Sequence, residues 1–91
     1  MYFVYLLESI QFKKWYVGYT PASVFSRLEK HNKSLVQSTK AFIPWKVIYF
    51  EAYTLRSDAL GREKFLKSGA GRNFLKKQLK NYLLVHRVRT K

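Results

Sequence analysis

The chain has 91 residues, of which 47% are hydrophobic and 18% aromatic, enough for one domain with one core and too few for a second. Eighteen Lys and Arg stand against five Asp and Glu, a formal net charge of +13, and so large a field points to a polyanionic partner rather than to solubility alone. There is no cysteine and only two well-separated histidines, which excludes disulfides and thiolate zinc sites and leaves a hard, oxygen-bound ion as the metal such a chain would hold.

Met1 to Leu7 has no basic segment before its apolar run, and no apolar run approaches the roughly 18 residues needed to span a bilayer. A cytoplasmic protein with no membrane partner is expected. The basic C-terminal half lacks a clean apolar face with Trp anchors, which favours nucleic acid over anionic lipid.

In chain order, Tyr2 to Glu8 is a continuous apolar and aromatic run, and Trp15 to Tyr19 is another, with polar Ser9 to Lys14 between them. This pattern predicts two antiparallel strands joined by a short loop, the first buried on both faces because it does not alternate. Thr20-Pro21 supplies an N-cap and a proline at the first helical position for a helix over about 22–31. Val24, Phe25 and Leu28 form its inward stripe, leaving Arg27 and His31, at i and i+4, stacked on another face.

Asn32 to Lys40 reads as a polar loop, and Trp45 to Tyr53, rich in aromatic and β-branched residues, as a third strand introduced by Pro44. A second helix starts near Thr54 or Ser57, turns Leu60 and Phe65 or Leu66 to the core, and ends at Ser68-Gly69-Ala70-Gly71, since glycine commonly follows a helix end. A third helix over about 72–84 completes an α+β domain of order β-β-α-β-α-α with a three-stranded antiparallel sheet. The domain spans residues 1–85, and 86–91 form a basic tail, read as mobile.

The ordered set Val4-Tyr5, Tyr16-Val17-Gly18, Arg27, His31 and Glu63 resembles the GIY-YIG endonuclease family over nearly the whole chain. It is most similar to small stand-alone bacterial members and to the N-terminal domain of the nuclease component of excinuclease ABC. The resemblance implies metal-dependent hydrolysis of phosphodiester bonds, in DNA more readily than RNA, in repair or recombination, with a protein partner as one route to targeting. Tyr16 would activate water. Tyr5 would support the water or the phosphate by hydrogen bonding. Arg27 suits a phosphate through its planar, permanently charged fork, and His31 would bond a phosphate oxygen or relay a proton. Glu63 would hold Mg2+ or Mn2+, weakly without nucleic acid, because one carboxylate leaves most of the octahedral shell to water and phosphate.

Each residue also has a plainer reading: core tyrosines, a solvated arginine, a polar histidine in a last helical turn favoured by the dipole, and a Glu63–Lys67 pair at i and i+4. Glu63 is singled out because the other acids have alternatives: Glu8 at a strand end, Glu29 beside Lys30 and Lys33, Glu51 mid-strand and Asp58 in a first helical turn. Lys67 and Arg72 are further candidates for nucleic-acid contact, with Lys76 and Lys77 on a solvated basic face that doubles as an electrostatic footprint. Ser68 to Arg72 lacks the Walker pattern and reads as a helix connector.

The chain departs from the family pattern at Phe3, where the first tripeptide usually has glycine, and at Tyr19, where many relatives have lysine. Lys13, Lys14 or Lys67 are candidates to replace that cation, and Asn73 lies near a family asparagine without clear alignment. A different class of function, a basic nucleic-acid-binding module that does not cleave, uses the same surface, with Trp15 or Tyr19 stacking on unpaired bases.

Overall fold

The computed structural model describes residues 1–88. Its elements are β1 (Tyr2–Ser9), β2 (Trp15–Thr20), α1 (Val24–Asn32), a 3-10 turn (Lys40–Phe42), β3 (Trp45–Tyr53), α2 (Arg56–Leu66), α3 (Gly69–Gln78) and α4 (Lys80–Val88). The α+β class and the three antiparallel strands are as expected. The last predicted helix is instead two, because the chain turns at Leu79, which packs against the core. That turn lets the Tyr82 hydroxyl of α4 donate to Glu8 Oε1 at 2.5 Å. Of the expected tail, residues 86–88 belong to α4 and the rest lies outside the described residues.

The strand order is β2-β1-β3. As the central strand, β1 has a neighbour on each side and cover on each face, which is why Val4 to Ser9 are all buried and the run does not alternate. Its register pairs Tyr5 with Gly18 and Leu7 with Tyr16 on β2, and Tyr5 with Phe50 on β3, with an irregularity between Leu6 and Leu7. Val4 and Leu6 face one core, with Ala59 and Leu66 of α2 and Leu75 of α3. Tyr5 and Leu7 face the other, with Val24 of α1 and Trp45 of β3.

The helix starts differ from those predicted. Ser23, not Thr20, caps α1, its Oγ accepting from the amides of Phe25 and Ser26 at 3.2 and 3.3 Å. Thr20 is buried and accepts from the Ala22 amide instead. At the start of α2, Leu55 occupies the cap position with no side-chain hydrogen bond, so neither Thr54 nor Ser57 serves as the cap. Ser68 caps α3, accepting from the Gly71 amide at 3.1 Å while donating to the Phe65 carbonyl at 2.5 Å. Ser68→Ala is therefore expected to cost about 1 kcal/mol, read as a lowered midpoint in urea with an unchanged slope.

The Gly-Ala-Gly segment is not a left-handed helix end, since no glycine has positive φ, and of its two glycines only Gly71 is required by packing. A Cβ on buried Gly71 would run into the backbone of Phe65 and Leu66, so glycine is what lets α3 close against α2. Through that contact α3 helps to hold the end of α2 from which Glu63 and Lys67 project.

Candidate active site

Four elements and one loop build the site: β1 with Tyr5, β2 with Tyr16, α1 with Arg27 and His31, the loop before β3 with Thr39, and α2 with Glu63 and, at its C-terminal end, Lys67. Alternation along antiparallel strands puts Tyr5 and Tyr16 on the same sheet face, the one covered by α1. Across the ladder from Tyr5 stands Gly18, and a Cβ there would fall within the Tyr5 ring. The glycine of the second tripeptide thus makes room for the tyrosine of the first.

His31 lies at the centre. Its ring is fully buried, with Nε2 2.9 Å from the Tyr5 hydroxyl and Nδ1 2.7 Å from Thr39 Oγ1. Thr39 Oγ1 donates to the Val36 carbonyl at 3.4 Å, which leaves its lone pairs to accept from Nδ1–H. The remaining ring nitrogen then accepts from the Tyr5 O–H. Trp45 Nε1 donates to the Thr39 carbonyl at 2.9 Å and holds the loop in place.

Burial, reinforced by the nearby Arg27 charge, lowers the His31 pKa to about 4, so the imidazole is neutral at pH 7. This corrects the expected inward stripe of α1: Phe25 is 62% exposed, and the stripe is Val24, Leu28 and His31, with Arg27 at its edge, near enough to Tyr5 and His31 to act on both electrostatically. As a buried neutral ring with both nitrogens engaged, His31 holds Tyr5 in place. Because the unfolded ring takes up a proton near pH 6.5 and the folded ring does not until about pH 4, this group contributes stability above pH 6.5 that is lost as pH falls, by at most about 1.4 kcal/mol per pH unit. The check is an NMR titration, in which the His31 imidazole signal should stay flat from pH 8 to 5; an inflection near 6.5 would refute the neutral buried ring.

The two tyrosines differ accordingly. Burial pushes the Tyr5 phenol pKa up, the neighbouring Arg27 guanidinium opposing it, and its proton is committed to His31. Tyr5 is thus a fixed internal support. Tyr16 is only half-buried, its ring meeting the edges of His31 at 5.3 Å and Trp45 at 6.3 Å. Among the described residues no protein group bonds its hydroxyl, which leaves that oxygen open to water or substrate.

Arg27, Tyr16 and Glu63 all lie close enough to act electrostatically on the Tyr5 hydroxyl. Lys67 Nζ is 5.9 Å from the Tyr16 ring centroid and 3.1 Å from Glu63 Oε2. The predicted set of Tyr5, Tyr16, Arg27, His31, Glu63 and Lys67 is therefore one cluster. Sequence reasoning missed Thr39, which gave no signal beyond being one hydroxyl in a polar loop.

The other acids are engaged or remote. Glu8 is buried and accepts from Trp15 Nε1 and Tyr82. Glu51 accepts from Tyr49, Tyr53 and twice from Arg62; burial raises its pKa, but those bonds outweigh it and hold the carboxyl below its usual range. Glu29 and Asp58 are exposed on helix surfaces. Glu63 is 21% exposed with Lys67 its only ion-pair partner among the described residues, and no three His, Cys, Asp or Glu meet there. A lone open carboxylate suits a hard divalent ion that completes its shell with water and phosphate oxygens, and suits a transition metal poorly.

Arg72, Lys76 and Lys77 lie apart from this cluster on α3. Arg72 stacks over Trp15 at 5.7 Å, and Lys13, Trp15, Arg72 and Lys76 line a hollow of about 40 Å³; Lys77 is exposed. None of the described helices is long and apolar enough to cross a membrane.

No curated protein and no solved structure matches the chain significantly. The family model of the GIY-YIG catalytic domain matches residues 1–80, a span that takes in every residue of the cluster, and the chain therefore belongs to the GIY-YIG family of nucleases.

Proposed function

We propose that this protein is a divalent-metal-dependent endonuclease that hydrolyses phosphodiester bonds in DNA, working in the cytoplasm in repair or recombination and akin to the N-terminal domain of the nuclease component of excinuclease ABC. The observation that carries the reading is the convergence of an open tyrosine hydroxyl, an arginine fork and one carboxylate paired only with Lys67 among the described residues, around the buried Tyr5–His31–Thr39 chain.

In this reading Arg27 holds the scissile phosphate with charge-assisted hydrogen bonds. Tyr16 takes the proton of the attacking water. Tyr5, its own proton held by His31, fixes the ring and charge geometry beside them. Glu63 holds Mg2+ or Mn2+, which when bound offsets charge on the phosphate and the leaving oxygen. Lys67, paired with Glu63, lies beside Tyr16 and adds positive potential where negative charge develops. Lys76, Lys77 and Arg72 draw in the polyanion, and a protein partner supplies targeting that so small a domain lacks.

The test is cleavage of a labelled panel of duplex, single-stranded, flapped and four-way DNA, with RNA alongside, in Mg2+ or Mn2+ and in chelator. Metal-dependent products from DNA are expected. Tyr16→Phe should bind as the parent does yet cut about 10²-fold more slowly; a parental rate would remove Tyr16 from the role of base.

A second reading, a nucleic-acid-binding module that does not cleave, draws on the Lys13, Trp15, Arg72 and Lys76 hollow, whose indole and cations could grip a strand without chemistry. Tight binding with no products from any substrate would favour it.

A further inference from the structure

The buried side chains of α2 are Ala59 and Leu66, which pack with Val4 and Leu6 of the central strand. At about 100° per residue, Arg62 and Glu63 stand about 50° to either side of that buried line. They therefore serve opposite edges of the sheet. Arg62 reaches Glu51 on β3, Nε donating to Oε1 at 2.8 Å and Nη2 donating to Oε2 at 3.0 Å. Glu63 pairs with Lys67, whose ammonium lies over the Tyr16 ring of β2, and β2 and β3 flank β1 on its two sides.

Two buried side chains fix where α2 lies better than they fix its roll about its own axis. The start of the helix adds little, because Leu55 makes no side-chain cap bond, and Gly71 closes only on the last turn. The Phe65–Phe74 contact, at 6.3 Å, ties α2 to α3 and not to the sheet. Among the described residues, the Arg62 fork makes the only side-chain hydrogen bonds from α2 to another element. Its acceptor is itself held: Glu51 accepts from Tyr49 and Tyr53, two residues to either side on the same strand face, at 2.5 and 2.6 Å. The guanidinium lies over the rings of Phe74 and Phe65 at 4.5 and 5.3 Å. A planar fork between a fixed carboxylate and stacked rings sets orientation as well as distance, which an ammonium would not.

We propose that Arg62 is a positioning residue: its fork to Glu51 sets the roll of α2 and so aims Glu63 and Lys67 at Tyr16. Side chains extend about 5 to 6 Å from a helix axis, so a roll of about 10° carries the Glu63 carboxylate about 1 Å. A displacement of that size costs about 10²-fold in rate at a catalytic centre. The proposal rests on the nuclease reading for the role of Glu63, while Arg62 acts from the β3 side, away from Tyr16.

Three variants separate aim from stability. Arg62→Met keeps the apolar stem and loses fork and charge, Arg62→Lys keeps the charge and loses the fork, and Tyr53→Phe weakens the bonding of the same carboxylate but leaves the fork. Amide residual dipolar couplings along α2, whose periodic variation reports the roll of the helix relative to the sheet, are measured on each folded protein without metal or DNA. Steady-state cleavage is followed well below the melting temperature. Arg62→Met should roll α2 by about 10° and lower kcat about 10²-fold with a parental KM, and Arg62→Lys should recover part of both. Tyr53→Phe should melt lower yet keep the parental roll and kcat. If Arg62→Met does not fold, Arg62→Lys carries the comparison, with kcat lowered about tenfold. A parental roll or a parental kcat in the Arg62 variants would overturn the proposal, as would an equal loss of kcat in Tyr53→Phe, which would make the effect one of stability alone. Failure of the nuclease reading shows separately, as absence of metal-dependent products from the unaltered protein, and the couplings then still decide whether the fork sets the roll.

Discussion

Glu63→Gln should cut DNA about 10³-fold more slowly than the parent at equal metal concentration, a loss of roughly 4 kcal/mol of transition-state stabilisation. The amide keeps the size of the side chain and one oxygen but loses the negative charge that a hard cation selects. No other acid is placed to replace it: Glu8 and Glu51 are bound by tyrosine, tryptophan and arginine donors, and Glu29 and Asp58 project from exposed surfaces. The fold should scarcely notice. The pair with Lys67 is partly exposed, and such i, i+4 pairs contribute about 0.3 to 0.5 kcal/mol. Binding in chelator should be unchanged or tighter, because one negative charge has left a surface that meets a polyanion. Single-turnover cleavage beside anisotropy separates the two effects, and a variant that cuts at the parental rate would show that the ion is held elsewhere.

Gly18→Ala should destabilise the domain by about 2 to 3 kcal/mol, the range for overpacking a filled core, which lowers the melting temperature of a chain this size by roughly 10 to 20 °C. Surface burial alone would not predict it, since alanine favours a strand no less than glycine does. The added methyl would enter the ring of Tyr5, and that ring cannot swing aside: it is 2% exposed, and its hydroxyl is tied to His31. Displacing Tyr5 breaks the chain to Thr39 and leaves buried polar groups unpaired. The structural and functional consequences therefore arrive together, as a lower melting temperature and as weaker cleavage under conditions where the variant is still folded. A Gly18→Ala protein with parental stability would mean that Tyr5 does not lie across the glycine.

Much of this is legible in the chain itself. The aromatic runs of Tyr2 to Glu8 and Trp45 to Tyr53 mark strands whose boundaries agree closely with those observed, because aromatic and β-branched residues in short runs have few other uses. The spacing of Tyr5, Tyr16, Arg27, His31 and Glu63 identifies the family, and the scarcity of acids points to Glu63 before any contact is known.

Periodicity cannot choose the inward face of α1, where Val24-Phe25-Leu28 and Val24-Leu28-His31 fit a helix equally well. Hydrophobicity favours the first. The fold selects the second, because the buried hydroxyl of Tyr5 needs an acceptor in the core and His31 supplies it while Thr39 satisfies the other nitrogen. The same long-range accounting decides which carboxylates are committed and which is open, since the donors that occupy Glu8 include Tyr82, 74 residues away. Composition and local spacing thus determined the strands, the family and the candidates, whereas the neutral state of His31, the bonding that separates Tyr5 from Tyr16 and the difference between Glu63 and the fully bonded Glu8 and Glu51 depend on hydrogen-bond partners that only the closed tertiary structure brings within reach.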